Sequence, residues 1–358
     1  MQAIEATLQD TTKAAGYANA CGTVAAREAV AAFHGAASSE DVILANGCSG
    51  ALELALTALL DTDSVLLVPQ PGFPLYQVIA ESHGASVAHY RLHTDDWSVN
   101  VEHVRSLLIE HPNAAAMVVN NPSNPTGAVY NEEQLRAICS VCQEFHVPIV
   151  ADEIYGDMVF GNQSSFLPIA SIASEYQVPV ITASGIGKQF LLPGWRVGWI
   201  VVSDNTFGSL QHVWAGAKRL AQVVLGASHL AQTAVPALLA LDDPHITEWK
   251  NDLRGQLQTQ AAALCTKLRG GAPGLRIIEA SGAMYALVQI DNTRLHVKDD
   301  VDFANRLLQE EAVFVLPGAC FGIPQAFRVV FCASVPVLEE AARRICRFCQ
   351  RHEINNIE

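Results

Sequence analysis

Thr182-Ala-Ser-Gly-Ile-Gly-Lys-Gln-Phe-Leu-Leu-Pro-Gly-Trp-Arg-Val-Gly-Trp199 joins two apolar, β-rich runs, Pro179 to Ala183 and Arg196 to Val202, and carries a lysine between them. Lys188 therefore stands just past a strand, in a glycine-bearing loop, with Arg196 eight residues later. Working outward, the same kind of run recurs at Val42 to Asn46, Ser64 to Val68, Ser86 to Arg91, Ala115 to Asn120 and Pro148 to Asp152, with helical segments between. This alternation predicts an α/β fold in which a mostly parallel, seven-stranded sheet lies between helices. Ligands of such sheets bind outside the carboxyl ends of the strands, so the residues that follow each run are the ones to inspect.

Beyond the sheet the pattern changes. Ile246 to Leu268 reads as one long helix, and Leu275 to Glu279, Ala283 to Ile290, Val313 to Leu316 and Phe327 to Phe331 read as strands with helices between and after them. That arrangement predicts a smaller α+β domain. The boundary falls within the long helix, giving a large domain over 14–250 and a small one made of 1–13 and 251–358.

Composition excludes several classes. With 358 residues, 50% apolar and 16% charged, the chain can bury the cores of two domains. A formal net charge of -14 argues against nucleic acid or an anionic membrane as partner. Met1 to Lys13 is polar and lacks the apolar core of a signal peptide, and no stretch approaches the apolar length of a membrane span. Nine cysteines, an odd number, fit a reducing compartment, so the expected location is cytoplasmic.

Cys139/Cys142 and Cys346/Cys349 have the C-x-x-C spacing of zinc or redox sites. Each pair falls in a segment with helical periodicity, Glu132 to Phe145 and Val337 to His352, and no neighbouring histidine or second pair completes a tetrahedral site. They read as helix positions, and no metal is expected. The twelve histidines show neither ligand spacing nor a nucleophile partner.

Lys188 is one of six lysines. Lys13, Lys218, Lys250, Lys267 and Lys298 lie in polar or helix-like surroundings, whereas the apolar setting of Lys188 favours the neutral amine that imine formation requires. A nucleotide phosphate loop would need Gly six positions before the lysine and Ser or Thr after it; Thr182 and Gln189 stand there instead.

The other strand ends offer further candidates, each with an ordinary structural reading beside the functional one. Asp152 ends an apolar strand, where a carboxylate either caps a helix or, if buried, needs a cationic partner such as a pyridinium. Asn124 lies in the turn Asn120-Asn-Pro-Ser-Asn-Pro-Thr-Gly127, and Asn-Pro is a common turn former. Gly47-Cys-Ser-Gly50 precedes the helix expected over Ala51 to Leu60, so its N–H groups and the Ser49 hydroxyl would face an anion at a helix start. Phe73 reads as core packing, and Tyr17 as an interior or turn residue.

Six ordered motifs carry a resemblance: Gly47-Cys-Ser, Val68-Pro-Gln-Pro-Gly-Phe-Pro-Leu-Tyr76, Asn120 to Gly127, Ala151-Asp-Glu-Ile-Tyr-Gly-Asp-Met-Val-Phe160, Leu192-Pro-Gly-Trp-Arg-Val-Gly-Trp199 and Ser281-Gly-Ala-Met-Tyr285. From about residue 2 to residue 352 the chain resembles the class I pyridoxal-phosphate-dependent aminotransferases of fold type I, nearest to their tyrosine aminotransferase branch. The resemblance implies pyridoxal 5'-phosphate as cofactor and Lys188 as its Schiff-base lysine. It implies Asp152 on the pyridine nitrogen, Tyr155 and Asn124 on the ring hydroxyl oxygen, and Phe73 stacked on the ring. Arg196, Ser49 and the backbone of Gly47 and Cys48 would hold the phosphate, and Arg328 would clamp the substrate carboxylate.

The implied activity moves the amino group of an aromatic L-amino acid, tyrosine favoured, to a 2-oxo acid such as 2-oxoglutarate in ping-pong half-reactions, with the freed lysine as general base. A homodimer is implied, with Tyr17 reaching the partner's phosphate site. Two features depart from the family pattern. Gly185 stands where many relatives have a Ser or Thr phosphate ligand, with Ser184 one residue further from the lysine. Relatives also carry several tens of residues before the position of Met1, an arm that lines the pocket and braces the dimer. Its absence leaves three expectations: a truncated form, a more open pocket, or a cofactor-binding module with little turnover. A β-eliminating lyase on the same scaffold would use the same lysine, Asp and Arg set.

Overall fold

Apolar residues on both faces of a strand require cover on both sides of a sheet, and that requirement organises the chain. The computed structural model describes residues 2–9, 14–161, 166–204, 208–240 and 242–354. β1 (Val42–Asn46), β2 (Val65–Gln70), β3 (Ser86–Arg91), β4 (Ala114–Asn120), β5 (Ile149–Asp152), β6 (Val180–Gly185) and β7 (Val197–Ser203) form one sheet in the order β1-β7-β6-β5-β4-β2-β3. The run from β6 to β3 is parallel, and β7 is antiparallel to both neighbours.

Alternate residues of the central strands enter different cores. Val118, Val150 and Ile181 pack with the helices Gly47–Leu59, Leu75–Ser82 and Gln211–Val224. Met117, Val119, Ile149, Ala151 and Val180 pack on the opposite face with Val101–Glu110 and Glu132–Glu144. The expected doubly covered sheet is present.

A second sheet is antiparallel, in the order β10-β11-β9-β8, from β8 (Leu275–Ile277), β9 (Tyr285–Ile290), β10 (Leu316–Pro317) and β11 (Ala326–Val330). It shares a core with the helices Pro244–Gly271, Asp300–Glu311 and Val335–Arg351. In the first of these, Leu257, Ala261, Leu264 and Leu268 are buried at the three- and four-residue spacing of an amphipathic helix. Cys139, Cys142, Cys346 and Cys349 are all buried in their helices, and burial pushes their thiols up.

Several boundaries differ from expectation, each for a local reason. The helix expected from Ala51 starts at Gly47, because Gly47 at φ 71° turns the chain straight from β1 into its first turn. Lys188 sits in a single helical turn, Ile186–Gln189, and not in a loop. β9 begins at Tyr285 instead of Ala283, since Ala283 has φ 55° and the preceding Ser281 and Gly282 N–H groups donate to the Gly127 carbonyl. The strand expected over Val313 to Leu316 is confined to Leu316–Pro317, opposite Arg328 and Phe327: the chain leaves the helix Asp300–Glu311 through Ala312 at φ 53°, and Val313 to Val315 do not join the ladder although β11 runs on to Val330. Of the segment 1–13, Gln2–Gln9 is helical, while Met1 and residues 10–13, Lys13 among them, lie outside the described residues.

Candidate active site

The carboxyl ends of the parallel strands open onto a cavity of about 320 Å³. It is lined by Gly47, Cys48, Ser49, Phe73, Asn124, Asp152, Tyr155, Lys188, Arg196 and Arg328, so every expected site residue but one meets there. The exception is Tyr17, which is 93% exposed and outside the cavity.

Asp152 is the last residue of β5 and is 3% exposed. The Tyr76 hydroxyl donates to its Oδ2 at 2.6 Å, the Ile154 N–H to its Oδ1 at 3.2 Å, and the Cys48 thiol lies 3.7 Å from Oδ1. Burial pushes this carboxyl above its ordinary range, against the pull of those donors. Asn120 fixes the strand end from the side: its Nδ2 donates to the Asp152 carbonyl at 3.1 Å, and its Oδ1 accepts from the Asn124 N–H at 2.7 Å. One side chain thereby sets both the carboxylate and the Asn124 turn.

At the other end of the cavity, Arg196 precedes β7 with φ 53° and its guanidinium donates to the carbonyls of Pro193 and Asn46, each at 3.2 Å. A side chain on Gly47 would run into this guanidinium, and one on Gly198 would overlap the Gly47 backbone, so both glycines are needed for β7 to reach the start of the Gly47–Leu59 helix. The Gly47 N–H donates to the Arg196 carbonyl at 3.0 Å, and the N–H groups that follow it have no partner within their helix. A guanidinium over a helix start is an anion cradle.

Arg328 reaches in from β11. Its guanidinium lies 4.2 Å from the Tyr285 ring centre and 4.7 Å from that of Phe321, and its Nη1 donates to Asn124 Oδ1 at 2.8 Å. Its Nε is buried with no hydrogen-bond partner among the described residues, and burial draws its pKa down. A cation placed so, with a donor unspent, suits a carboxylate. The Tyr155 and Tyr285 hydroxyls share a hydrogen bond of 3.0 Å, and burial holds Tyr155 well above the ordinary phenol range. Lys188 is half-buried beside Gly187 and Pro193 on the cavity wall.

Ser184 faces away from the cavity: its hydroxyl donates to the Glu153 carbonyl at 3.3 Å and accepts from Gln189 Nε2 at 2.9 Å. Gly185 is closed in by β7, where a side chain would strike the Val197 carbonyl. Two functional neighbours escaped the reading of the sequence, Tyr76 and Tyr285. Both stand inside quoted motifs, but their partners lie 76 and 130 positions away along the chain, so spacing gave no signal.

Residues 1–345 match the model for aminotransferase class I and II. The chain belongs to the class I and II aminotransferase family. It is 39% identical to a tyrosine aminotransferase of Dictyostelium discoideum, over 94% of this chain and 81% of that one. To the human tyrosine aminotransferase it is 36% identical, over 96% and 75% respectively. The crystal structure of the tyrosine aminotransferase from Leishmania infantum superposes with a TM-score of 0.91 at 29% identity, covering 99% of this chain and 87% of that one.

Aminotransferases of this family depend on pyridoxal 5'-phosphate, and the cavity fits that group on its own chemistry. A carboxylate buried at one end is stabilised by a cation, which a protonated ring nitrogen would supply. The glycine-floored guanidinium and helix start at the other end offer donors and positive charge that would suit the cofactor's phosphate.

Glu153, next to Asp152, points to the far side of the sheet, where its Oε1 accepts from the Ile169 N–H at 3.0 Å and burial pushes its pKa up to about 8. A carboxyl raised in the folded state binds its proton more tightly there than in the unfolded chain. Its contribution to stability is therefore complete below the ordinary value of 4.5 and is lost as pH rises through about 8. Glu153→Gln keeps the acceptor and removes the titration. Urea unfolding at intervals from pH 5 to pH 8 is expected to give a smaller fall in midpoint for the variant than for the unsubstituted protein, and equal falls would contradict the assignment.

Proposed function

We propose that the protein transfers the amino group of an aromatic L-amino acid, tyrosine foremost, to a 2-oxo acid such as 2-oxoglutarate. The observation that carries this reading is the meeting, in one cavity, of Lys188, the buried Asp152 carboxylate and an Arg328 guanidinium with an unpartnered Nε. The names of the relatives and the aromatic side chains of Phe73, Tyr155 and Tyr285 in the cavity support the preference for aromatic substrates.

In this reading the bound cofactor supplies the electron sink that makes the substrate Cα hydrogen acidic. Asp152 pairs with the ring nitrogen and keeps it protonated. Asn124 and Tyr155 would bond the ring hydroxyl oxygen, and Phe73 would pack on the ring. Arg196, the Ser49 hydroxyl and the backbone of Gly47 and Cys48 hold the phosphate. Arg328 grips the substrate α-carboxylate and so decides which bond at Cα is presented for cleavage. Lys188 would hold the cofactor and, as general base, would take the proton from the substrate Cα.

We assign residues 14–250 to the part that holds the cofactor, and 1–13 with 251–358 to the part that clamps the substrate. The protein acts as a homodimer in the cytoplasm. Support for the dimer is an exposed apolar strip: Tyr17, Val223 at 79% exposure, Val224 at 67% and Leu225. His229, hydrogen bonded to the Gly16 carbonyl at 3.0 Å, brings the two segments together. Tyr17 would cross to the partner's phosphate end. The nine free cysteines support the compartment, and among the described residues no helix is long and apolar enough to cross a membrane. No feature of the cavity favours the eliminating lyase or the non-catalytic module.

The test is to add L-tyrosine to the cofactor-loaded protein with no oxo acid present. One equivalent of 4-hydroxyphenylpyruvate is expected, and Lys188→Ala should slow its formation by about 10²-fold or more. Pyruvate and ammonia from an amino acid with a β-leaving group, without any oxo acid from tyrosine, would replace the reading by the lyase. For the dimer, gel filtration of Val223→Asp/Val224→Asp should show a monomer with weaker cofactor binding; an unsubstituted protein that runs as a monomer at full activity would contradict it.

A further inference from the structure

Tyr285 touches both halves of the site while holding neither of the roles above. It opens β9, whose register pairs Leu287 with Arg328 on β11. Tyr285 is two residues from Leu287, so its side chain leaves the same face of the sheet as Arg328, in the diagonal position where long side chains meet. The Arg328 guanidinium lies 4.2 Å from its ring centre, and Phe321 stands 4.7 Å from the same guanidinium. Among the described residues Arg328 makes one side-chain hydrogen bond, to Asn124, and the two rings flank its cation.

The same residue meets Tyr155. The two rings pack edge to face at 5.7 Å and 83°, and their hydroxyls are 3.0 Å apart. A phenol has one proton to give, and the direction in which it is shared has a consequence. If Tyr155 donated to Tyr285, its proton would be unavailable to the cavity. When Tyr285 donates, Tyr155 keeps its own proton for an acceptor there, and a hydroxyl that accepts a bond becomes a stronger donor. Tyr285 is 7% exposed, and its carbonyl closes over Gly127, where a side chain would strike it, so the residue is fixed at its backbone as well.

We propose that Tyr285 is a positioning residue that couples the two ends of the substrate site: its hydroxyl donates to Tyr155 and aims the Tyr155 proton at the cofactor ring oxygen, while its ring holds Arg328 flat for the substrate carboxylate. The inference rests on the aminotransferase reading. It adds that one side chain of the second sheet governs both the electronic state of the cofactor and the grip on the substrate.

The two roles separate by substitution, read on cofactor-loaded protein without turnover. Tyr285→Phe keeps the ring and removes the hydroxyl. The pH midpoint of the bound cofactor's visible absorbance change should rise by about half a unit or more, because a weaker bond to the ring oxygen stabilises its anionic form less. The dissociation constant for 3-(4-hydroxyphenyl)propanoate, an unreactive carboxylate, should stay within about twofold. Tyr285→Leu removes the ring as well, and that dissociation constant should rise by about tenfold. Tyr285→Met, whose longer, flexible side chain fills the ring's space differently, takes this arm if the Leu variant does not fold.

An unmoved midpoint in Tyr285→Phe overturns the proton-directing role. An unchanged dissociation constant in a Leu or Met variant that binds cofactor normally overturns the clamping role. In both cases an unsubstituted protein that binds cofactor and carboxylate leaves the aminotransferase reading standing. An unsubstituted protein that binds neither overturns that reading, and this inference with it.

Discussion

A carboxylate buried at the end of an apolar strand is the constraint around which this molecule is arranged. Asp152 is 3% exposed, and leaving a charge so placed without a cationic partner costs several kcal/mol. Tyr76, the Ile154 N–H and Cys48 steady its two oxygens, yet burial still pushes the carboxyl up, so these donors do not replace a positive partner. The unmet requirement faces a cavity, where a protonated ring nitrogen would meet it. Glu153, the very next residue, faces the other way and takes its hydrogen bond from Ile169. Strand alternation thus places two adjacent acids on opposite sides of the sheet.

The rest of the site grades charge away from that point. Arg196, over the glycine-floored helix start, offers positive potential at one end, and Arg328 offers it on the side of the second sheet. Neither guanidinium forms an ion pair with a carboxylate among the described residues: Arg196 is spent on two carbonyls and Arg328 on Asn124 and two rings. Cations held by neutral partners keep their attraction for an incoming anion. The same logic extends to the Asn120–Gly127 turn, which binds Arg328 through Asn124 and receives the Ser281 and Gly282 N–H groups at Gly127. Movement of the second sheet would therefore be felt directly at the first.

Much of this was legible in the sequence because burial on both faces writes strands as continuous apolar runs, and all seven strands of the first sheet were found within two residues. The errors came where tertiary partners decide. Gly47 could begin a helix only because β7 and Arg196 cover it, and the turn that carries Lys188 is set by its packing against the loop before β7. In the site, residues just past strand ends could be picked out by position, as Asp152, Asn124, Lys188 and Gly47 were. Arg328, on a strand of the second sheet, and Tyr17, exposed and outside the cavity, were reached only through resemblance to a family. Tyr76 and Tyr285 act on residues far away in the chain, and no local pattern announces such a contact.

The most direct test of the central claim compares the thermal unfolding midpoint of the protein and of Asp152→Asn, each with and without pyridoxal 5'-phosphate. If the buried carboxylate is kept for a cation in the cavity, the variant without cofactor should be at least as stable as the unsubstituted protein, because a neutral amide is cheaper to bury. Its gain on adding cofactor should be clearly the smaller of the two. A variant that loses stability without cofactor and keeps the full gain with it would contradict the account, since Asp152 would then be serving the fold and not the ligand.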